Sequence, residues 1–290
     1  MILTLLAVLE IFFMAMRIKI WGCRGSIAMP AATHLKYGGN TTCVEVEAGG
    51  ETFVLDGGTG IRNLGLEMVK NQELEHCHIL LTHTHWDHIN GFPFFTPAYI
   101  PGRKFSIMAG HLKDAGGIEK VFDAQMEQPV FPVPLGAMQS NLEFFDFRAG
   151  EKLDISKSSK VKVATTSLNH PNDATGYRFD YNGKSMCFIT DTEHIPGKPD
   201  QNILNLIDGA DLVIYDSTYT EEEFTTKIGW GHSTWEEGMK LCKMAGVKRL
   251  GIFHHDPEHD DVFMDKLAKE ASLAWDGAFV IQEGMEFNVE

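Results

Sequence analysis

Short apolar runs punctuate this chain at close intervals, each bounded by polar or glycine-rich residues. Strand-like runs cover residues 17–21, 42–47, 52–56, 78–82, 104–108, 142–147, 160–164, 177–181, 185–190, 211–215 and 249–254. Two of them, His78-Ile79-Leu80-Leu81 and Met186-Cys187-Phe188-Ile189-Thr190, are continuous apolar blocks of the kind a buried strand requires. Helical patterns occupy residues 61–70, 118–125, 201–207, 234–245 and 261–274. Ser233 or Thr234 can cap the fourth helix, with Glu236 and Glu237 in its first turn. Strands mostly come in runs, with helices spaced between blocks. That grouping predicts two sheets packed face to face with helices outside, rather than a simple βαβ alternation.

The turns are glycine-rich, as at Gly49-Gly50, Gly57-Gly58-Thr59-Gly60 and Gly116-Gly117, and mark tight backbone rather than a phosphate cradle. Residues 129–134 (PVFPVP) break secondary structure and read equally as a wall or flap and as a plain rigid loop. From Arg17 onward no linker, charge block or repeat divides the chain, so residues 17–290 are expected to form one domain. Residues 1–16 (MILTLLAVLEIFFMAM) stand apart. The segment is short for a membrane span, is interrupted by Glu10 and lacks a basic signal-peptide start. It reads as a start codon placed upstream of the true one at Met14 or Met16. A membrane-surface anchor or a poor signal sequence are the alternatives, and membrane contact is expected only if the anchor is real.

Composition narrows the partners. The 290 residues are 43% hydrophobic and carry a formal net charge of −15. A chain that grips long nucleic acid by its phosphates normally needs basic surface, so no long nucleic acid is expected as the main ligand. The five cysteines (Cys23, Cys43, Cys77, Cys187, Cys242) are scattered without a C-x-x-C, as ordinary thiols of a reducing, cytoplasmic compartment would be.

The densest chemistry lies in Thr82-His83-Thr84-His85-Trp86-Asp87-His88, directly after a buried strand. His83 and His85 are two apart and project to the same side of the strand end. Asp87 and His88 follow where the chain turns toward Gly91 and can face a neighbouring point. Two points served by one loop suggest two metal ions, and imidazole with carboxylate suits zinc, with manganese or iron as alternatives. Further ligands are expected at other strand ends. His170 stands where an extended segment stops before Pro171, Asp191 ends residues 186–190, and His254 closes residues 250–253. A carboxylate at Asp191 could bridge two cations and hold them ~3.5–4 Å apart, a spacing suited to in-line chemistry at phosphorus.

The THTHWDH run resembles the H-x-H-x-D-H signature of the metallo-β-lactamase superfamily, and Leu55–Gly60 (LDGGTG) resembles its buried-strand Asp-Gly motif. The resemblance implies an α/β fold, a four-layer αββα sandwich with metals at one edge between the sheets. It also implies that His83, His85 and His170 hold one metal and Asp87, His88 and His254 the second. Asp191 would bridge them, and Asp56 would orient a ligand imidazole. Spacing in that superfamily selects His254 over its neighbour His255. Gly231-His232-Ser233-Thr234, with Trp21–Ser26 (WGCRGS) and Gly39-Asn40-Thr41, resembles the ribonuclease Z-like phosphodiesterase branch. In that branch the His of His-Ser-Thr is a general acid or transition-state stabiliser, the role this implies for His232; the plain alternative is a neighbour of a helix cap.

The expected activity is that of a phosphodiesterase. Two divalent cations make a hydroxide nucleophile, Asp87 orients it or accepts its proton, and His232 protonates the leaving oxygen. No Gly/Pro-rich basic arm is present, which together with the charge favours small phosphodiesters or cyclic nucleotides over tRNA. Rival readings are a lactone, thioester or β-lactam hydrolase on the same fold and a non-hydrolytic metal-bound sensor. A homodimer is compatible with all of these. The polar run His255, Asp256, His259, Asp260, Asp261 reads as surface and helix-cap chemistry rather than a second metal site. Phe92, Phe94, Phe95 and Tyr99 read as core, with a base-stacking pocket as the alternative.

Overall fold

In a computed structural model, which describes residues 16–71, 76–157 and 160–289, the first half of the chain builds one sheet and the second half another. Strands β1 (Met16–Gly22), β2 (Cys43–Ala48), β3 (Glu51–Leu55), β4 (His76–Leu81), β5 (Lys104–Ala109) and β6 (Asn141–Asp146) follow one another across the first sheet. The second sheet takes β7 (Lys152–Leu153), β8 (Lys162–Leu168), β9 (Ala174–Tyr181), β10 (Lys184–Ile189), β11 (Leu212–Asp216), β12 (Arg249–Phe253) and β13 (Ala278–Val280) in the same orderly way. The last strand, β14 (Glu286–Val289), returns to the first sheet and pairs antiparallel with β1. The helices are α1 (Gly60–Lys70), α2 (Trp86–Ile89), α3 (Ile118–Gln125), α4 (Gln201–Ile207), α5 (Glu221–Phe224), α6 (Trp235–Met244) and α7 (Asp261–Ala274).

Three hydrophobic cores separate the layers. Between the sheets, Val44, Phe53, Leu55 and Leu80 meet Tyr177, Phe179, Phe188 and Phe253. Each such side chain contributes roughly 1.5–3 kcal/mol on burial. Ile61 and Leu64 of α1 and Phe122 of α3 cover the outer face of the first sheet. Ile203 of α4, Leu241 of α6 and Leu267 of α7 cover that of the second. The αββα sandwich is therefore the observed architecture. Strands β4, β10 and β11 sit between a helical layer and the facing sheet, which is why they read as unbroken apolar blocks.

Most predicted elements are present within two or three residues. The short helices α2 and α5 and the strands β7, β13 and β14 carry too few residues to show a period, and residues 162–168 extend a strand expected to stop at 164. Phe92 and Phe95 are core, whereas Phe94 is exposed and packs edge-on against Phe131. All five cysteines are free and buried. The reading of residues 1–16 lies outside the described residues except for Met16, which opens β1. Among the described residues no helix is long and apolar enough to cross a membrane.

Strands β3 to β6 run parallel, as do β10 to β13, so the carboxyl ends of each set line up along one edge. Asp56 follows β3, Thr82 follows β4, Asp191 lies just past β10, Asp216 ends β11 and His254 follows β12. Open α/β sheets characteristically place ligands at such an edge.

Candidate metal centre

Seven residues expected to act as ligands converge at that edge. His83, His85 and His170 form one group, with His85 Nδ1 3.1 Å from His170 Nε2. Asp87, His88 and His254 form a second, in which Asp87 Oδ2 lies 3.3 Å from both His88 Nε2 and His254 Nε2. Asp191 stands between them. Its Oδ1 faces His83 Nε2 at 3.8 Å and His170 Nε2 at 3.7 Å, and its Oδ2 faces His88 Nε2 at 3.2 Å and His254 Nε2 at 3.3 Å. One carboxylate thus offers one oxygen to each group.

In four of the rings, those of His83, His88, His170 and His254, the other nitrogen is already committed. His88 Nδ1 bonds Asp56 Oδ2 at 2.8 Å, and Thr82 donates its main-chain N–H to Asp56 Oδ1 at 2.7 Å. His83 Nδ1 lies 3.1 Å from the Thr82 hydroxyl, His170 Nδ1 donates to the Gly231 carbonyl at 2.7 Å, and His254 Nδ1 meets the Thr218 hydroxyl at 3.0 Å. These contacts fix ring orientation and present Nε2 inward, the usual arrangement around a ligating histidine. His83 Nε2, His88 Nε2 and His254 Nε2 are buried with no hydrogen-bond partner among the described residues. Asp56, Asp87 and Asp191 are also buried, and their only ion-pair partners there are histidines. Orphaned nitrogens beside uncompensated carboxylates are what a divalent cation would satisfy. The residues fit the group.

Burial works against ionising Asp191, yet the His254, His88 and His83 rings around it hold its carboxyl well below the usual range. Burial likewise opposes charging His88, but Asp191, Asp87 and Asp56 raise it well above an ordinary imidazole. The site attracts positive charge even where it must be borrowed from a histidine.

The backbone is bent to make this arrangement. Asp56, Asp191 and His254 all adopt left-handed φ values of 63°, 59° and 63°, and Ser26 does so at 61°. Non-glycine residues rarely do this, and each such residue stores of order 1–3 kcal/mol of strain. Ser26 uses its turn to donate its main-chain N–H to Asp87 Oδ2 at 2.7 Å. At Gly25 a Cβ would stand 2.5 Å from His254 Nδ1, so only glycine admits that ring.

His232 lies beside the centre on the loop before α6. Its Nδ1 is 3.0 Å from Asp216 Oδ2 and 3.7 Å from Asp191 Oδ1, and the ring lines an open cleft of about 480 Å³ with Ser26, His85, Trp86, Asp87 and Asp191. Burial disfavours its charged form, but Asp216 overrides this and holds the ring up at about 9. Asp216 accepts on both oxygens: Thr192 N and His232 on Oδ2, Thr218 N and the Thr218 hydroxyl on Oδ1. Through Thr218 it reaches His254 as well. Sequence reasoning missed Asp216 by ending the strand one residue early. Its signal is the one that marked Asp56 and Asp191, a carboxylate closing a buried apolar run.

His254, not His255, joins the cluster; His255 turns away and bonds the Ile281 carbonyl at 2.8 Å. The polar run that follows is structural. Asp260 caps α7, His259 bonds Glu223, and the fully buried Arg24 donates to the carbonyls of Asp256 and His259. Thr234 is the cap of α6, while Ser233 is buried between His194 Nδ1 at 2.8 Å and the Tyr215 hydroxyl at 3.1 Å.

Residues 51–255 match a model of the beta-lactamase superfamily domain. Ribonuclease Z from Porphyromonas gingivalis is 23% identical, over 95% of this chain and 99% of that protein. The metallo-β-lactamase fold protein YhfI from Bacillus subtilis superposes with a TM-score of 0.71 at 19% identity, covering 94% of this chain and 99% of that one. The short form of human tRNase Z gives a TM-score of 0.67 at 17% identity, covering 95% and 100%. These matches overturn the expectation that long nucleic acid is excluded as a partner, since a relative aligned over nearly its whole length is named a ribonuclease. Net charge misled because it sums the whole chain. An approaching strand meets the field at one cleft, where divalent cations would offset the carboxylates of Asp87 and Asp191.

Proposed function

The chain belongs to the beta-lactamase superfamily, and on that premise we propose that residues 17–290 act as one metal-dependent hydrolase of phosphodiester bonds, with RNA as the substrate class. The observation that carries the reading is His232, held on Asp216 beside a two-lobed centre joined by Asp191. His83, His85, His170 and Asp191 would hold one divalent cation; Asp87, His88, His254 and Asp191 would hold another. The donor set suits zinc, and also manganese or iron. Bound there, two cations supply a nucleophile at neutral pH and neutralise charge that builds on the phosphoryl oxygens.

The chain's own residues do the rest. Asp87 has Oδ2 engaged by Ser26 and turned toward His88 and His254, so its Oδ1 is the oxygen available to orient the attacking water. His232 keeps Nδ1–H on Asp216, so a proton leaves from Nε2 into the cleft, where the departing alkoxide needs it. The same proton would serve an acyl leaving group, so the substrate panel, not His232, separates phosphodiester from acyl chemistry. A second reading, hydrolysis of small phosphodiesters such as cyclic nucleotides, is favoured by the cleft lining, which includes no lysine or arginine.

The test is a panel run on metal-quantified protein: an RNA with a 3′ extension, a cyclic nucleotide, bis-p-nitrophenyl phosphate, a lactone and a chromogenic β-lactam. Phosphodiester cleavage is expected, and His232→Ala should keep its metal and lose most turnover. Turnover of the lactone or β-lactam alone would refute the reading, and inertness of metal-replete protein toward all five would favour a sensor.

A further inference from the structure

Two residues of the H-x-H-x-D-H run are not candidate ligands: Thr84, whose hydroxyl lies 3.1 Å from His111 Nε2, and Trp86, which that kind of contact leaves unexplained. Trp86 opens α2 between His85 and Asp87, lines the cleft beside both, and is 83% exposed. An isolated exposed apolar residue is ordinary on a protein surface. A tryptophan held between two candidate ligands on the wall of a cleft is a different case, because its ring is presented to what enters that cleft.

A second exposed tryptophan stands near His232, outside the residues that line the cleft. Trp230 stands two residues before His232, is 60% exposed, and carries the Lys227 ammonium 4.1 Å above its ring. Lys227 also lies 5.7 Å from the Tyr219 ring, which meets His232 edge-on at 5.9 Å. The turn is held rigid. Glu193 accepts main-chain N–H groups from Gly229 at 2.7 Å and Gly231 at 2.9 Å, and the Gly231 carbonyl anchors His170. Trp86 comes from a loop of the first sheet, whereas Trp230, Lys227 and His232 come from loops of the second. Trp86 and His232 line one cleft.

We propose that Trp86 is a stacking platform for the nucleobase on the retained side of the scissile phosphate, with Lys227 and Trp230 flanking the departing strand beyond His232. This rests on the phosphodiesterase reading and deepens it: the substrate class is a nucleobase-bearing phosphodiester, recognised by stacking, which tolerates any base because each has a π-face. A single ammonium beside the exit wall gives the departing strand a phosphate contact that the net charge conceals.

The test compares thymidine 5′-p-nitrophenyl phosphate with ethyl p-nitrophenyl phosphate, which share a leaving group and differ in the retained one. Wild type should favour the nucleotide. Trp86→Ala should lose roughly ten- to a hundredfold in kcat/KM on it, with the ethyl ester and metal content unchanged, and Trp86→Phe should retain most of the preference. Equal loss on both esters, or loss on neither, overturns the proposal. So does a Trp86→Ala variant that loses both and falls to half its mass in sedimentation, which would assign the ring to a contact between copies of this chain. If metal-replete wild type cleaves neither ester, the phosphodiesterase reading has failed by itself, and binding decides the platform. Adenosine 5′-monophosphate, but not ribose 5-phosphate, should then quench tryptophan fluorescence in wild type and not in Trp86→Phe. Absence of that difference overturns it.

Discussion

Asp216→Asn is the sharpest perturbation the centre offers, because all four groups that face this carboxylate are donors. Turned one way, the amide NH₂ confronts two donors, Thr192 N and His232 Nδ1; turned the other way it confronts Thr218 N, while the Thr218 hydroxyl can accept from it and donate to the His254 carbonyl. Each buried donor left unpaired costs about 1–3 kcal/mol, so the melting temperature should fall. The effect on His232 is more specific. Burial alone would lower its pKa; the rise from 6.5 to about 9 depends on Asp216, and corresponds to roughly 3 kcal/mol in favour of the imidazolium. A general acid works only while protonated, so turnover is lost as pH rises through that pKa. Cations beside Asp191 oppose Asp216 and bring the limb of the loaded enzyme below 9. Removing the Asp216 charge moves the limb lower still, and at pH 8 turnover should drop on the order of 10²-fold or more. The assay is kcat against pH on an RNA with a 3′ extension, whose departing alkoxide needs the proton as p-nitrophenolate does not, with metal content measured on the same samples. Thr218→Val, which cuts the link to His254 but spares the Asp216–His232 pair, is the control and should leave the limb in place. An Asp216→Asn enzyme whose alkaline limb stays where wild type has it would refute the assignment of His232 as an acid tuned by Asp216.

Three further outcomes follow from the geometry. Asp191→Asn should lower metal content at both positions, since Asp191 alone presents oxygen to each histidine group, and elemental analysis after dialysis reads this directly. Gly25→Ala should keep the fold, lose about 1–3 kcal/mol of stability and shed metal from the His254 group, because the added Cβ would sit 2.5 Å from His254 Nδ1. Lys227→Ala should raise KM for an RNA substrate and reduce the salt slope of kcat/KM by about one, with kcat on bis-p-nitrophenyl phosphate unchanged.

Much of the centre was legible in the chain because it is built from strand ends. A buried strand announces itself as an apolar run, and a His or Asp that closes one is already at the edge where parallel strands deliver their loops. His83, His170, Asp191 and His254 are all of this kind. Legibility failed where contact, not pattern, carries the role. Asp216 is the last residue of a strand whose end periodicity cannot place. Ser26 acts through its main-chain N–H and Gly25 through the side chain it lacks, and neither leaves a mark in composition. The choice of His254 over His255 is one of contact: His254 meets Thr218 and the cluster, while His255 bonds the Ile281 carbonyl. The exclusion of long nucleic acid failed for the opposite reason: a whole-chain sum was asked about one cleft.

The central claim is that the His/Asp centre hydrolyses phosphodiesters with metal bound. The most direct measurement is release of p-nitrophenol from bis-p-nitrophenyl phosphate by protein whose metal content is determined on the same preparation, before chelation, after it, and after zinc or manganese is restored. Close to two divalent ions per chain are expected, with turnover lost when they are removed and regained on restoration. Metal-replete protein that leaves the phosphodiester intact would contradict it.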